Sequence, residues 1–511
     1  MDDQNQNEVI AFLGRASSYA CGSDRVEVVA THASLVFLVG DRAYKLKRAV
    51  RYSYLDYTTT ELRRRACETE VALNCRTAPS LYLGVMPVTR SSEGRLALGG
   101  RGEALDWVVV MRRLAKSDLL DHLAATGRLT PQLVIELAGH IVDFHAHAEH
   151  RSESGGTDAF TALIAGNDAN LRSADAALPA AAIDKLHEGA RAALRALDDL
   201  LDRRRRDGYV RRCHGDLHLG NICLLEGKPV LFDAIEFSEE IATVDLLYDL
   251  ALLLVDLEHH GLPALANLLF NRYLDLIDAG NGLAALPLFL STRAAIRAHV
   301  TGTAVRVEPD PPRRAKLRRT ASAYLDLAIR YLAPSSPRLV AIGGLSGSGK
   351  STLAAALAPG LGRAPGARVL RSDVVRKRLF GVAPEARLPA AAYSPEMTRR
   401  VYESLGLAAR EALTAGQSVV ADAVFAQPQE RLDIAAIAAA LGTRFRGLWL
   451  DAPPALLASR LAARGLDASD ATPAVLETQL TYDLGRIDWP QLDASANSTE
   501  VLTAARQALA A

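Results

Sequence analysis

Apolar positions change their spacing repeatedly along the chain, and each change predicts an element. In residues 26–48, VEVVATHASLVFLVGDRAYKLKR, short apolar runs broken at Gly40-Asp41 predict three strands. Alternation in Arg42 to Lys47 puts Lys45 and Lys47 on one strand face. From Thr60 to Arg76 the spacing becomes helical, with Thr60 as the candidate N-cap. At about 100° per residue, Leu62, Ala66, Cys67, Val71 and Leu73 form one apolar arc. Glu70 falls inside it and Glu68 outside, and a carboxylate turned toward a core requires a cationic partner. Leu105 to Leu114 predicts a buried strand, after which the chain turns helical, with one helix over Pro131 to His150. Val230 to Phe232 is an apolar run that ends on Asp233.

Near Leu332 the helical pattern stops at Ala333 to Pro337, APSSP, which predicts a linker. Beyond it, apolar runs at Leu339–Ile342, Val369–Arg371, Gln417–Ala421 and Phe445–Leu450 predict strands. Asp373, Asp422 and Asp451 stand just past the last three. Carboxylates at the C-terminal ends of parallel strands point into the ligand crevice of a doubly wound sheet.

The chemistry concentrates in two stretches. In CHGDLHLGNICLLEGKPVLFDAIEF, Cys213 to Phe237, Asp216 lies between His214 and His218, Asn221 follows, and Asp233 closes the strand. This ordered set resembles the catalytic loop of aminoglycoside phosphotransferases and related kinase-like small-molecule kinases. The resemblance implies that Asp216 accepts the substrate hydroxyl proton while Asn221 and Asp233 hold Mg2+ against the ATP phosphates. It also implies that Glu70 pairs with a phosphate-positioning lysine, Lys45 by preference with Lys47 close behind, the register being left open by spacing. No G-x-G-x-x-G covers that region; Thr31 to Ser34 occupies the phosphate-loop position, so Ser34 joins the expected ATP contacts. Val110 to Arg112 become hinge candidates beside the adenine, and Asp249 is expected to buttress the catalytic loop.

The second stretch, GLSGSGKST, matches Gly344-x4-Gly349-Lys350-Ser351 with a strand before it and the helical TLAAALA after it. Glycines let backbone N–H groups face phosphates, the helix N-terminus adds positive potential, and Ser351 can ligate magnesium. Gly344, Ser346, Gly347, Ser348, Gly349, Lys350, Ser351 and Thr352 are therefore the expected nucleotide contacts. The half that follows the linker resembles P-loop kinases such as gluconate kinase, polynucleotide kinase and zeta toxins. That implies Asp373 orients or deprotonates the acceptor, Asp422 serves near magnesium, and Arg460 or Arg464 acts from a lid. Asp451 is expected instead to cap the helix after Pro453.

Composition narrows the setting. The expected architecture is an α+β bilobal kinase-like domain at 1–333 followed by an α/β doubly wound parallel-sheet P-loop domain at 338–511. Formal charge sums to zero, so nothing electrostatic demands nucleic acid or a membrane surface. With eight lysines against fifty-one arginines, a lysine at a special position, such as Lys45, Lys47 or Lys350, carries extra information. Five scattered cysteines without a CxxC pair, and the acidic start MDDQNQNE, point to reduced thiols in a cytoplasmic protein. The apolar run Leu246 to Leu257 is too short to span a bilayer and contains Asp249 and Asp256. His140, His145, His147 and His150 include no i, i+4 pair and no neighbouring cysteine, so they are read as structural or solvated. The basic runs 203–206 and 311–319 are read as solvated helix faces. The functional expectation is a bifunctional ATP-dependent kinase with small-molecule acceptors, ATP and Mg2+ as cofactors and no membrane partner. Its rivals are a nucleotide-sensing regulator and a kinase acting on RNA or a nucleotide sugar; zero net charge and few aromatics weigh against RNA. Oligomeric state is left open.

Overall fold

The computed structural model describes residues 2–20, 25–31, 33–52, 55–174, 178–463 and 468–510. Packing divides the chain into two compact units, Met1–Gly155 with Arg205–Leu253, and Gly156–Arg204 with Leu254–Ala511.

The first unit is built on a six-stranded antiparallel sheet. Its strands run, in spatial order, Glu27–Ala30, Ser34–Val39, Arg42–Lys47, Glu103–Arg112, Tyr82–Arg90 and Leu96–Leu98. Period-two alternation sorts its faces. Phe37, Tyr44, Leu46 and Val108 pack with Val9 and Leu13 of the N-terminal helix. Ala43, Val109 and Met111 share the opposite face with Cys67 of the helix Thr60–Asn74. Lys45 and Lys47, two residues apart in Arg42–Lys47, belong to that second face.

Two expectations for this helix are corrected. Its N-cap is Thr59, whose hydroxyl accepts from the Leu62 N–H at 3.2 Å; adjacent threonines are indistinguishable by spacing alone. The buried stripe is Arg63, Cys67, Glu70 and Asn74, while Leu62 is exposed. The stripe turns because Arg63 reaches the buried carboxylate of Asp106, donating at 2.8 and 3.0 Å, and a buried ion pair overrides the apolar arc. The hairpin Ile222–Leu225 with Lys228–Leu231 and the helices Pro131–His147 and Leu246–His259 complete the elements around the catalytic-loop motif.

The second unit carries an all-parallel sheet in the order Arg368–Arg371, Val419–Asp422, Arg338–Gly343, Arg444–Asp451 and Gln491–Asp493. Near-continuous apolar strands such as Leu339–Ile342 are buried, as a parallel sheet requires. The helices Pro263–Leu276, Leu286–Val307 and Pro311–Tyr331 belong to the same unit. Asp451 is not a helix cap: it is the exposed last residue of its strand, and the helix Pro454–Ala462 starts on Pro453 without a side-chain cap. Prolines with preset φ begin that helix unaided. The run 203–206 is not wholly solvated either, since Arg204 is fully buried and bonded to Asn281. Among the described residues no helix is long and apolar enough to cross a membrane.

Candidate active sites

The first site forms where the sheet face bearing Lys45 and Lys47 meets the segment 213–236. Lys45 Nζ donates to Glu70 Oε1 at 2.8 Å and to Asp233 Oδ1 at 2.6 Å. Lys47 pairs with the other Glu70 oxygen and with Glu236, and the Tyr57 hydroxyl donates to Glu236 at 2.7 Å. Both lysines therefore answer the demand made by buried Glu70, but unequally: the Lys45 side chain is 14% exposed and that of Lys47 2%. Burial opposes the charge on Lys45, yet Asp233, Glu70 and Glu236 outweigh it and hold its pKa well above the ordinary value. Burial likewise opposes ionisation of Asp233, and Lys45 and Lys47 reverse the balance, lowering its pKa.

The catalytic-loop motif is held from behind. Asp249 accepts from the Gly215 N–H at 2.8 Å, the His214 N–H at 3.2 Å and His145 at 3.1 Å. Gly215 has φ +84°, and a Cβ there would meet Ile235 and Ala242 at 3.0 and 3.1 Å. On the open side, Asn221 Nδ2 donates to the Asp216 carbonyl at 2.9 Å and to its carboxylate at 3.2 Å, and His218 stands 3.5 Å from that carboxylate. Asp233 adopts φ +62°, a left-handed conformation that a non-glycine residue keeps only when its surroundings enforce it. The hydroxyl of Tyr82 accepts from the Asp233 N–H at 3.1 Å, and Asn74 accepts from the Ala234 N–H at 2.8 Å. Ser34, by contrast, is buried at the start of its strand, its N–H bonded to the Thr31 hydroxyl at 2.9 Å. Among the histidines of the helix, His145 is buried and joined by Cys213 and Asp249, an association that separation in sequence concealed.

The second site opens on a cavity of about 1360 Å³ whose lining includes Ser346, Gly347, Gly349, Lys350, Ser351, Asp373 and Asp422. Gly344 and Gly347 carry positive φ, and a Cβ on either would lie 2.5–2.6 Å from a backbone oxygen of Leu450 or Leu457. At Gly349 the corresponding space is open. Lys350 Nζ donates to the Leu345 carbonyl at 3.0 Å, within the loop. Ser351 Oγ donates to Asp422 Oδ2 at 2.6 Å, and Arg371 lies 3.5 Å from the same oxygen. Burial raises the pKa of Asp373, against a hydrogen bond from Ser469 and with a further push from Asp422. Thr352 is exposed on the helix Lys350–Leu357. Arg460 lies in the last turn of its helix and does not line the cavity; Arg464 lies outside the described residues.

Several residues escaped sequence reasoning. Glu236 and Tyr57 complete the lysine cluster. Glu236 lies three residues past Asp233, a signal available in DAIEF. Arg376 sits three residues past Asp373, on the same helix, is buried, and lines the cavity with its guanidinium 4.7 Å from the Tyr393 ring. Asp470 gathers Lys377, the Tyr393 hydroxyl at 2.5 Å and the Leu388 N–H at 3.1 Å, and two of its partners show no sequence signal.

Residues 85–289 match the family described as "Phosphotransferase enzyme family", and residues 339–482 match "AAA domain". The "Uncharacterized protein Rv2004c" of Mycobacterium tuberculosis H37Rv is 31% identical over 478 residues, which cover 91% of this chain and 92% of that protein. Among solved structures, a choline/ethanolamine kinase family protein from Mesorhizobium loti is similar at 16% identity and a TM-score of 0.38, over 64% of this chain and 98% of that one. A gluconokinase from Sinorhizobium meliloti 1021 is similar at 22% identity and a TM-score of 0.26, over 34% of this chain and 92% of that one. The chain belongs to the family of the mycobacterial protein, with a phosphotransferase-type domain followed by an AAA-type P-loop domain.

Proposed function

We propose that the chain is a bifunctional ATP-dependent phosphotransferase, each domain moving the γ-phosphoryl group of ATP to a hydroxyl of a small-molecule acceptor. The observation that supports this reading is that each of two sites groups a lysine, Lys45 or Lys350, with oxygen donors suited to Mg2+ and a further carboxylate.

In the first site Lys45 faces the α and β phosphates, and Glu70 holds it there. Lys47, more deeply buried, keeps Glu70 and Glu236 in place. Asp233 and Asn221 offer only oxygen donors toward a metal, a set that fits Mg2+ better than a soft ion. Asp216 accepts the proton of the acceptor hydroxyl as its oxygen attacks the γ-phosphorus and the bond to the β–γ bridging oxygen breaks, releasing ADP. In the second site the loop amides and Lys350 take the phosphates, Ser351 and Asp422 would hold Mg2+, and Asp373 accepts the proton. Magnesium, when bound, supplies charge neutralisation on the phosphates. Arg376 supports an anionic group on the second acceptor: it is buried against the cavity, and its bonds are to the Ala392 carbonyl and the Thr398 hydroxyl, with no carboxylate in ion-pair range among the described residues.

The raised pKa of Asp373 fixes a sign for the pH dependence. Its carboxylate must be ionised to take a proton, and burial keeps it protonated to higher pH than an ordinary aspartate. The second-site kcat/KM for ATP, measured in an Asp216→Ala background, should therefore fall on its acid side at a pH above about 3.9, the ordinary aspartate value. An acid limb at or below that value would contradict Asp373 as the base.

The identity of the acceptors is tested by incubating a metabolite extract with ATP and following new phosphorylated species by mass spectrometry. Wild type should yield two sets of products, one missing with Asp216→Ala and the other with Lys350→Ala. A single set lost in both mutants would favour a nucleotide-sensing regulator over two enzymes.

A further inference from the structure

The strand Arg368–Arg371 is the edge of the parallel sheet, bonded to Val419–Asp422 on one side only. An edge leaves outward N–H and C=O groups that must be answered if they are buried. Here they are answered by side chains of the helix Pro263–Leu276, which lies before the linker. Asn271 Oδ1 accepts from the Val369 N–H at 2.7 Å, while Asn271 Nδ2 donates to the Ala367 carbonyl at 3.1 Å. Those two groups flank Arg368, so one side-chain amide does what the peptide groups of a neighbouring parallel strand would do. One helical turn earlier, Asn267 Nδ2 donates to the carbonyls of Pro365 and Ala367, both at 3.0 Å. One turn later, Asp275 forms an ion pair with Arg368 at 2.6 Å. Arg368 Nη1 returns to Asn271 Oδ1 at 3.1 Å. Asn267, Asn271 and Arg368 are all buried, at 3, 7 and 8% exposure, which makes each bond expensive to lose. Gly366, at φ +101°, lets the backbone come this close; a Cβ would stand 2.8 Å from Asn267 Nδ2.

The braced strand matters because of what it delivers. It ends on Arg371, beside Asp422, and runs directly into the helix Ser372–Leu379 that carries Asp373 and Arg376. The same helix Pro263–Leu276 sends Arg272 to Glu385, 2.8 Å away. Asp278, just past its end, meets Arg378 at 3.1 Å.

We propose that the Asn267–Asn271–Asp275 face is a positioning element of the second phosphotransfer site, setting where Asp373 stands relative to the phosphate loop. The second catalytic centre is then completed by residues that precede the linker, and a P-loop domain cut at the linker is an incomplete enzyme. This inference rests on the two-site reading above.

The test uses the full chain in an Asp216→Ala background, with Mg2+ and ATP as the probe and ADP release as the readout, normalised to second-site occupancy, taken as the nucleotide-binding sites titrated in the same sample less those that remain when Lys350→Ala is added. Asn271→Ala is expected to lower kcat by about tenfold, as a small displacement of a reacting group does, while KM for ATP stays within about twofold. A loss confined to folding would reduce the titrated sites and leave the normalised kcat unchanged, which overturns the proposal. Should Asn271→Ala not yield folded protein, Asp275→Asn, which keeps shape and removes only the charge, is expected to lower normalised kcat in the same direction by about threefold. An unchanged kcat there overturns the proposal too. Lys350→Ala in the same background separates the two readings: if it leaves ADP release intact, the two-site reading fails, and if it abolishes release while both scaffold variants keep full kcat, only this inference fails.

Discussion

Replacing Asp216 by Asn is expected to lower kcat at the first site by about 10²–10⁴ while ATP affinity stays within about twofold. The substitution isolates proton acceptance from structure. In the loop, the Asp216 carboxylate accepts from Asn221 Nδ2 at 3.2 Å, and the oxygen of an asparagine amide can accept that same bond. The loop is anchored elsewhere, by Asp249 through the amides of His214 and Gly215, which the substitution does not touch. The lysine cluster around Glu70 and Asp233 also keeps its charges. What disappears is the basic oxygen at the acceptor, so the effect should fall on transfer and spare nucleotide binding. The measurement is product formation per ATP-binding site, with ATP affinity read separately by nucleotide titration. Transfer at the wild-type rate would remove Asp216 from the mechanism, and a matching loss of ATP affinity would recast it as a phosphate-site residue.

Lys350→Ala is the counterpart at the second site, with an expected loss of about 10²–10³ in kcat there and no more than about twofold change at the first. The lysine ammonium lies within the phosphate loop, bonded to the Leu345 carbonyl, in a cavity whose other close charges include Asp373 and Asp422. Removing the cation leaves those carboxylates to repel the triphosphate, so both binding and transfer should weaken. The described residues that line the cavity belong to the second unit, and the first site provides an internal control in the same molecule. Combining Lys350→Ala with Asp216→Ala should leave no ATP turnover above the uncatalysed level. Turnover that survives the double change would mean that ATP is consumed at neither proposed centre.

Both motifs are legible in the chain itself, because each is written in a short window. The HGD loop with Asn221 and Asp233, and the glycine-rich loop with Lys350 and Ser351, each span few enough residues for spacing to carry meaning. Periodicity sufficed for the strands Glu27–Ala30, Ser34–Val39, Arg42–Lys47 and Glu103–Arg112, for four strands of the parallel sheet and for the inward turn of Glu70, which the fold buries completely, but it passed over Tyr82–Arg90, Leu96–Leu98 and Gln491–Asp493. It failed where a polar side chain was buried by a distant partner. Arg63 displaced the expected apolar arc because Asp106, forty-three positions away, accepts its bonds. Tyr57 meets Glu236 across 179 positions, and Asn271 meets Ala367 across 96.

The choice between Lys45 and Lys47 has the same origin. Alternation put both on one face, and only the packing of the helix Thr60–Asn74 and of the segment ending at Glu236 gave the two lysines different partners and different exposure. Local spacing thus determined which elements form and which reactive groups they carry, since backbone geometry repeats over a few residues. The assignment of partners to buried charges and amides was left to the tertiary structure, because a desolvated polar group takes whichever complementary atom the folded chain brings within bonding distance.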